Sequence, residues 1–543
     1  MADDPDSWSI PAEGTKDSDV EKCDSCEDGD SATGSLLTEL DSQLLRGVSL
    51  AVTLSGFGRH WSSTAGTTTM YQTGPQIYNL SSVVKEFDTF LSHDWQTNRW
   101  LKVLALLWIF NLRAATVISL CFSICWGTVL GLHWLPDEAW YIFFPWCVFF
   151  LVLLSWQRLR SLVLPKMVFM DKLCIAQHDA ILKAQGIVGL AAFLDRSKTL
   201  TILWSPKYFT RLWCIYELAT YLRQREHKPV KLMPVAMSVV MLLMCIGGML
   251  LMTPYELGYY YYYLKEKNIR YVRGSQGGIH WPAMVRTVAM IVAVAVVLVP
   301  VVFWVGIHVM RDIQNLKDQL QDFSIRKSKC FCCCHEHQHP ETGEHLPCDR
   351  VLVYKMLKIW YSTEGKDFLD SFDDVVRAEL SAVALQGAKK AQLPFQDVVY
   401  LAMAISATEL QKAVQGFVQE ANFQGFPDGL VMIQAAFEFL AKFFLNYLTI
   451  WLLYLWLIFE LCSFGPYLMK RTNCSWSRLL AALVLSLVMF LTFGSFWFIT
   501  NLINAVVREH FADNLPMFSS LFRLLWLLLP LGLLRWNRRR AGL

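Results

Sequence analysis

The stretch from residue 198 to residue 221, KTLTILWSPKYFTRLWCIYELATY, decides the fold of the part of the chain that contains strands. A short apolar run, Leu200–Trp204, ends at Ser205-Pro206 and gives way to a helical pattern. This order predicts a strand, a tight turn and a helix. In open α/β sheets ligands bind just beyond the carboxyl ends of the strands, so we expect a functional site near Ser205 and the start of the helix. Glu217 lies in that helix and is the first candidate for chemistry.

Three other segments have the same strand character. Residues 87–92, 166–170 and 230–233 are short apolar runs, each followed by polar residues or by proline. Helical patterns lie between them, including one over residues 175–196. Short apolar runs that alternate with helices predict a parallel, doubly wound sheet.

The composition as a whole indicates a membrane protein. Of the 543 residues, 54% are hydrophobic and 17% are charged, and the mean hydropathy is +0.33. Several apolar runs are long enough to cross a bilayer. The net charge of +3 is too small to suggest binding to nucleic acid. We therefore expect a multi-pass protein whose first partner is the lipid bilayer.

The N-terminal segment has the opposite composition. Residues 1–45 contain 13 acidic and two basic side chains and almost no apolar periodicity. Such a segment buries too little apolar surface to offset the entropy of ordering it, so we predict a disordered acidic tail over residues 1–80. No basic stretch precedes an apolar one here, as it would in a signal peptide, and the N-terminus is expected in the cytosol.

The motifs at the strand ends resemble those of the Toll/interleukin-1 receptor (TIR) domain in its plant-like and bacterial forms. The chain carries FLSHDW at residues 90–95, VFMDK at 168–172 and KLMP at 231–234, in the order of the family. The family motif S-x-x-Y-x-x-S-x-W-C-x-x-E stands here, with Arg211 in place of the second serine, as Ser205, Tyr208, Trp213, Cys214 and Glu217. Together with the apolar runs, the resemblance predicts a multi-pass α-helical membrane protein with a cytosolic α/β, flavodoxin-like parallel-sheet domain.

Two apolar runs interrupt the resemblance between its first helix and its second strand. They cover residues 115–134 and 139–156, each near the ~20 residues needed to span a bilayer. Basic residues precede the first run and follow the second, whereas the connection HWLPDE is acidic. The positive-inside rule then places both halves of the sheet in the cytosol. We predict a TIR-like domain over residues 81–234 that is split by a transmembrane hairpin at 114–157.

For chemistry, the resemblance implies cleavage of the bond between nicotinamide and ribose in NAD, with Glu217 as the essential residue. A carboxylate near the ribose can stabilise an oxocarbenium-like state. The other residues that could line the nucleotide site are those at the strand ends: Ser92, His93, Asp94, Trp95, Asp171, Lys172, Ser205 and Tyr208. The alternative for Glu217 is a solvated or capping residue on an amphipathic helix.

Two departures from the family pattern leave the activity open. The loop at residues 171–174 lacks the glycine and proline that many members of the family use for partner contacts. After Pro234 the chain enters another apolar run instead of supplying the last helix and strand of the family. A TIR-like fold could persist with altered surfaces, and fold alone does not establish activity.

A segment rich in cysteine and histidine, CFCCCHEHQHPETGEHLPC, covers residues 330–348. Thiolate and imidazole groups are the ligands that zinc prefers in a closed tetrahedral site. We predict a structural zinc site whose ligands come from Cys330, Cys332, Cys333, Cys334, His335, His337, His339 and Cys348. The competing interpretation is S-palmitoylation of clustered cytosolic cysteines near a membrane. Disulfides are disfavoured in that compartment.

The remaining apolar runs predict further spans. A second hairpin is expected over residues 235–308, followed by a cytosolic Cys/His-rich segment and helical module at 309–440. The C-terminal membrane region, 441–543, contains runs at 443–464, 479–503 and 517–534. The total is six or seven spans, and simple alternation places the Asn473-Cys474-Ser475 sequon on the non-cytosolic side of the membrane.

Three functional hypotheses remain. The first is a membrane-tethered TIR-like signalling protein that hydrolyses NAD to nicotinamide and ADP-ribose. The second is a non-enzymatic scaffold or receptor whose TIR-like domain associates with copies of itself. The third is a channel or transporter with a cytosolic TIR-like regulatory domain, because six or seven spans exceed what anchoring requires.

Overall fold

The structure is a computed structural model that describes residues 41–62, 74–136, 138–223, 229–259, 281–338, 343, 345, 348–362, 365–380, 395–424, 429, 432–433, 436, 443, 448–469 and 475–510. This part of the chain is mostly helical, with one small mixed sheet. Six helices are long and apolar enough to cross a membrane. The architecture is that of an integral, multi-pass membrane protein, as the composition predicts.

The sheet has six strands in the described residues. They are β1 (Arg46–Ser49), β2 (Ser82–Val83), β3 (Thr89–His93), β4 (Met167–Phe169), β5 (Leu200–Trp204) and β6 (Val230–Pro234). Their order across the sheet is β2-β1-β4-β3-β5-β6. The four segments predicted as strands form β3 to β6 and run parallel, whereas β1 is antiparallel to both β2 and β4.

The helices alternate with these strands and then form the membrane region. They are α1 (Leu50–Thr53), α2 (Gly74–Tyr78), α3 (Arg99–Gly131), α4 (Phe144–Ser161), α5 (Asp171–Cys174), α6 (Ala180–Val188), α7 (Leu190–Asp195), α8 (Leu212–Arg223), α9 (Met237–Tyr259), α10 (Trp281–Gln321), α11 (Phe331–Cys334), α12 (Asp349–Tyr361), α13 (Phe368–Val375), α14 (Phe395–Ile405), α15 (Ala407–Gln424), α16 (Thr449–Leu468) and α17 (Ser475–His510). Short or irregular turns lie at Ser55–Gly58, Arg59–Trp61, Ala139–Phe143, Tyr208–Thr210, Ile325–Lys327 and Val376–Leu380.

An aromatic cluster holds the centre of the sheet against its helices. The rings of Phe90 on β3 and Phe169 on β4 stack with their centres 4.4 Å apart, and Phe193 of α7 lies 4.5 Å from Phe169. All three side chains are fully buried. Burial of one such side chain contributes roughly 1.5–3 kcal/mol, so this contact fixes the order of β3 and β4 despite the membrane hairpin between them.

The interval predicted as a disordered tail, residues 1–80, is partly ordered. β1 and β2 extend the sheet beyond β4, and Leu45, Val48 and Leu50 are buried in its core. The prediction is wrong for residues 41–62 and 74–80, because the apolar residues that follow the acidic run supply buried surface of their own. Residues 1–40 lie outside the described part of the chain.

The first helix of the sheet domain and the first membrane span are a single helix. The side chain of Asn98 accepts a hydrogen bond of 2.9 Å from the backbone of Trp100 and begins α3, which continues for 33 residues. At 1.5 Å per residue the helix is about 50 Å long, longer than the ~30 Å hydrocarbon core of a bilayer. Its first turns therefore extend out of the membrane beside the sheet.

Two separate apolar cores are present. One surrounds the sheet and includes Cys330, Cys332 and residues of α12 and α13. The other lies among the apolar helices α3, α4, α9, α10, α14, α16 and α17. Six candidate spans fall at predicted runs. The seventh predicted run, 517–534, lies outside the described residues.

The boundary predicted for the cytosolic module, residues 309–440, is wrong at its C-terminal end. The helices α12 and α13 pack with the sheet, but Leu401, Ala402 and Ile405 of α14 are buried in the core of the apolar helices. Residues 395–417 carry apolar residues at mixed spacings of three and four, the pattern of an amphipathic helix. The polar face of this helix is turned towards other helices. Sequence periodicity alone does not distinguish such a face from one that is turned towards water.

Candidate functional site

Polar side chains from three parallel strands meet at the carboxyl edge of the sheet. β3 lies between β4 and β5 and runs parallel to both. β3 ends at His93, β4 is followed by Met170 and Asp171, and β5 is followed by Ser205. The carboxyl ends of parallel strands share one edge, and this edge is where open sheets bind ligands. The sequence-predicted site residues from these strands therefore lie together, with α8 beside them.

Glu217 joins this edge through a chain of hydrogen bonds. Its Oε2 accepts a short hydrogen bond from the hydroxyl of Ser92, and the Ser92 Oγ lies 2.5 Å from the hydroxyl oxygen of Tyr208. Ser92 and Tyr208 are fully buried, and Glu217 is half-buried. Ser92 from the first motif thus contacts both Tyr208 and Glu217 from the third.

The proton affinity of Glu217 is unusually high. Burial of its carboxyl group raises the pKa to about 8, the hydrogen bond from Ser92 opposes that change, and the nearby Asp171 adds to it. At pH 7 the carboxyl group is therefore protonated in the ligand-free protein. A carboxyl group that titrates near neutral pH is suited to exchange a proton during a reaction.

A second polar group lies between β3 and β4. The indole Nε1 of Trp95 donates a hydrogen bond of 2.5 Å to Oδ2 of Asp171, and Nζ of Lys172 lies 4.5 Å from the centre of the Trp95 ring. Nζ of Lys102 donates a 3.3 Å hydrogen bond to the backbone oxygen of Trp95. Lys102 is 1% exposed and Lys172 is 6% exposed. Burial lowers the pKa of both lysines, to about 8 for Lys102, and raises the pKa of Asp171.

The charges at this edge favour an anionic ligand. Nε of Arg211 lies 3.5 Å from Oδ1 of Asp94, which adds a third cation to Lys102 and Lys172. Only Asp94 and Asp171 oppose these three cations while Glu217 holds its proton. A polar edge with excess positive charge attracts phosphate or pyrophosphate groups.

Two polar atoms at the same edge are buried without a partner among the described residues. They are Nε2 of His93 and Oγ of Ser205. Burial and the nearby Lys102 lower the pKa of His93 well below its usual range, so its ring is neutral. Because buried polar groups are almost always hydrogen-bonded, these atoms mark positions where polar atoms of a ligand would be satisfied.

Sequence reasoning missed three contributors to this site. Lys102 was counted only among the basic residues that precede the first span. The signal was its spacing, because Ala105 and Leu106 lie one turn later on the same buried face of the helix. Arg211 was noted only as a departure from the family motif. The backbone oxygen of Ser62 accepts a short hydrogen bond from Nζ of Lys172, and no sequence signal indicated it.

The cysteine and histidine segment forms a cluster that could hold a metal ion. Two overlapping groups, Cys330–Cys332–Cys333 and Cys333–His337–Cys348, each have their ligand atoms within 4.8 Å of one another. Sγ of Cys333 lies 3.7 Å from Sγ of Cys348 and 3.9 Å from Nε2 of His337. Metal–sulfur bonds of ~2.3 Å at tetrahedral angles separate two ligand atoms by about 3.8 Å. Three corners of a tetrahedral site are therefore already spaced for a metal.

The other predicted ligands lie differently. Cys334 and His335 are exposed and belong to neither group, and His339 lies outside the described residues. The fourth corner falls to Cys330 or Cys332, whose Sγ atoms are 3.4 Å apart. Five of the eight predicted ligands therefore belong to the two groups that could hold a metal ion.

The cluster is attached to the helix that carries Glu217. Lys329, next to Cys330, donates a backbone hydrogen bond of 2.7 Å to Thr210 and accepts one of 3.1 Å from Leu212. Nε1 of Trp213 donates to Oδ2 of Asp349 at 3.0 Å, and the backbone nitrogen of Asp349 lies 3.3 Å from Sγ of Cys332. The cysteine segment therefore supports the start of α8 through two adjacent residues, Leu212 and Trp213.

A scan against protein-family models and searches of curated proteins and of solved structures find no match to this chain. The functional conclusion therefore rests on the residues and geometry of the site.

Proposed function

We propose that the chain is a membrane-tethered, TIR-like signalling protein that hydrolyses NAD to nicotinamide and ADP-ribose. The parallel strands lie in the order β4-β3-β5-β6 across the sheet. Numbered 1 to 4 along the chain, these strands have the order 2-1-3-4, which flavodoxin-like sheets use. The observation that carries the proposal is the Glu217 carboxyl group at the carboxyl edge, held by Ser92 and titrating near neutral pH. The basic residues on both sides of the α3–α4 hairpin support a cytosolic sheet.

The reaction breaks the bond between C1′ of the ribose and the nicotinamide nitrogen. The electron pair of that bond leaves with nicotinamide, and positive charge develops on the ribose in an oxocarbenium-like state. The oxygen of water then bonds to C1′, and one proton is released. Glu217 is suited to this sequence, because the positive ring of bound NAD favours its ionised form, which stabilises the developing charge and accepts the proton of water.

The remaining polar groups would hold the nucleotide. Lys102 and Lys172 supply positive charge for the pyrophosphate of NAD, and Nε2 of His93 and Oγ of Ser205 have hydrogen-bonding capacity left for ribose or phosphate oxygens. Trp95 lies between these groups, with its indole fixed by Asp171. The arrangement suits a ligand that is anionic at its centre and polar along its length.

The test is release of nicotinamide from NAD by the full chain in membranes. Glu217→Gln keeps the size of the side chain and a hydrogen bond to Ser92 but cannot ionise, and we expect it to lower release by at least about 100-fold. Glu86→Gln is the matched control, since Glu86 is 66% exposed and pairs with Lys198 at the surface. Equal release by wild type and Glu217→Gln would exclude the proposed role of Glu217.

A non-enzymatic scaffold is the second candidate, and one observation favours it. Ser92, Tyr208 and Glu217 satisfy one another within the protein, as residues with a purely structural role would. In that case the TIR-like domain acts by self-association. No release of nicotinamide by wild type under conditions that permit self-association would favour this candidate over the enzyme.

For the metal cluster we propose a structural zinc ion. Cys333, His337 and Cys348 with Cys330 or Cys332 give the three-thiolate, one-imidazole set that is common in closed zinc sites. Palmitoylation requires an accessible thiol. Among these cysteines, Cys334 is exposed and offers one. The buried position of Cys330 and Cys332 favours a metal for those thiols.

A further inference from the structure

The helices α14 and α15 run through the group of apolar helices alongside α3. Oγ1 of Thr116 donates a 3.2 Å hydrogen bond to the backbone oxygen of Tyr400, and a Cβ on Gly131 would come within 2.6 Å of the Val418 side chain. From the first contact to the second, the residue numbers increase both along α3 and along α14–α15. The α14–α15 segment therefore runs parallel to α3, towards the α3–α4 turn. Together α14 and α15 contain enough residues to cross the ~30 Å hydrocarbon core, with a break at Ser406.

Three charged side chains are buried just after this break. Nζ of Lys412 lies 2.7 Å from Oε2 of Glu256 on α9 and 2.8 Å from Oε1 of Glu409. The other oxygen of Glu256 accepts a 2.9 Å hydrogen bond from Oγ1 of Thr408. The side chains of Glu256, Glu409 and Lys412 are 0%, 2% and 12% exposed.

We propose that Glu256, Glu409 and Lys412 form a membrane-buried site that takes up one proton. Two carboxylates face a single ammonium group, so the fully ionised cluster carries one unbalanced negative charge. An unbalanced charge among apolar helices is costly, and one proton on either carboxyl group removes it. A metal cation is disfavoured because three of the four carboxylate oxygens already contact Lys412 or Thr408, whereas a cation such as Na⁺ requires several oxygen ligands.

Among the described residues, the neighbouring side chains add no second buried cation. On the elements that pack against α15, the titratable groups near its level are Tyr255, Cys125, Tyr141, Cys147 and Tyr400, which carry hydroxyl or thiol groups. On α10, which packs against α9, Arg286 lies next to Thr287, a neighbour of Gly258, and is exposed. The basic residues of α3 and α4, such as Arg113 and Arg158, lie towards the sheet end of those helices.

The polarity of the region extends to Gln411. This residue is fully buried, and neither atom of its amide has a partner among the described residues. A buried amide without partners costs free energy unless a polar group reaches it. Broken helices with ionisable residues next to the break are characteristic of proton-linked and ion-linked membrane proteins.

Infrared spectroscopy of the full chain in lipid nanodiscs tests the proposal directly. The measurement is made in a Glu217→Gln background, because Glu217 also holds a proton near neutral pH. We expect the carbonyl-stretch band of protonated carboxyl groups to lose the intensity of one group in Glu409→Gln and also in Glu256→Gln. Each substitution leaves one carboxylate balanced by Lys412, so the proton is no longer needed.

Two further variants sharpen the result. Lys412→Met removes the ammonium group that pairs with both carboxylates, so the same band should gain the intensity of one group. Glu420→Gln is the matched control, because Glu420 is exposed on the same helix and should leave the band unchanged. Identical bands in Glu409→Gln, Glu256→Gln and Glu420→Gln would overturn the proposal. So would a wild-type band that disappears on addition of Na⁺ or K⁺, since a metal cation would then balance the charge.

Discussion

The residue that best distinguishes the two functional candidates is Glu217. A glutamate on the surface of an amphipathic helix has no reason to lie against Ser92 and Tyr208 or to titrate near neutral pH. The hydroxyl of Ser92 comes from the most buried part of β3, where an apolar side chain would be the default. The polar contact is therefore built into the core of the sheet.

The raised pKa of Glu217 predicts a pH dependence of stability. Between its ordinary value of 4.5 and its value of about 8 in the folded protein, the folded state binds more protons than the unfolded state. The contribution of this group to the free energy of unfolding is therefore largest below about pH 4.5 and is lost as the pH rises through 8. We expect the free energy of unfolding to change less across this pH range in Glu217→Gln than in wild type, by about 1–3 kcal/mol.

The measurement is the thermal unfolding midpoint of the purified chain at several pH values between 5 and 9, wild type against Glu217→Gln. Asp171 also has a raised pKa and contributes in the same direction, so part of the dependence should remain. Glu86→Gln provides the control for loss of a surface carboxylate. Parallel pH profiles for wild type and Glu217→Gln would contradict the buried, protonated state of this residue.

At the scale of elements, the cysteine segment and α8 are one structural unit. The pairing of Lys329 with Thr210 and Leu212 continues the chain of contacts from the metal cluster to the start of α8. Further along, the hydroxyl of Tyr361 on α12 donates a 3.0 Å hydrogen bond to the backbone oxygen of Ala219. The segment therefore packs beside the sheet and contacts α8 near both its first and its last turns.

This unit predicts that loss of the metal loosens α8. Cys333 belongs to both ligand groups, so Cys333→Ser should abolish bound zinc, which elemental analysis of wild type should find at about one ion per chain. Amide hydrogen exchange in α8 should become about tenfold faster, because its N-terminal contacts depend on Lys329 and Asp349. Cys334→Ser is the control, since Cys334 is exposed and outside both groups. Wild-type protein without metal, or unchanged exchange in Cys333→Ser, would refute the coupling.

At the scale of the whole molecule, the broken helix α14–α15 changes the expected membrane topology. If α14 and α15 cross the membrane, α16 returns towards the sheet end, and the structure fits this direction. Nε2 of Gln314, seven residues before the end of α10, donates a 3.1 Å hydrogen bond to the backbone oxygen of Ser463. Arg478 at the start of α17 then lies at the sheet end of the spans, the same end as Arg113 and Arg158, in agreement with the positive-inside rule.

The topology predicts where the connection at residues 470–474 is accessible. An epitope inserted after Asn473 should bind antibody only after permeabilisation of the cell, and the Asn473 sequon should carry no glycan. An epitope inserted at residue 270, between α9 and α10, should bind antibody on intact cells and serves as the control. Binding at Asn473 on intact cells would show that α14 and α15 do not cross.

The sequence by itself determined the elements of this protein. Apolar runs of ~20 residues and short apolar runs that end in polar residues depend on local composition, so the membrane helices and the strands β3 to β6 were predictable. The spacing of the motif residues around Ser92, Asp171 and Glu217 also predicted which side chains share one edge of the sheet.

Only the tertiary structure decided which neighbours these elements have. The inclusion of residues 46–49 in the sheet, the burial of Lys102, the attachment of the cysteine segment to α8, and the place of α14 and α15 among the apolar helices all depend on contacts between distant parts of the chain. The polar face of α15 contacts Glu256 of α9, but its sequence pattern is the same as that of a helix face exposed to water. The burial of Lys102 and Lys412 therefore became visible only when the surrounding elements were in place.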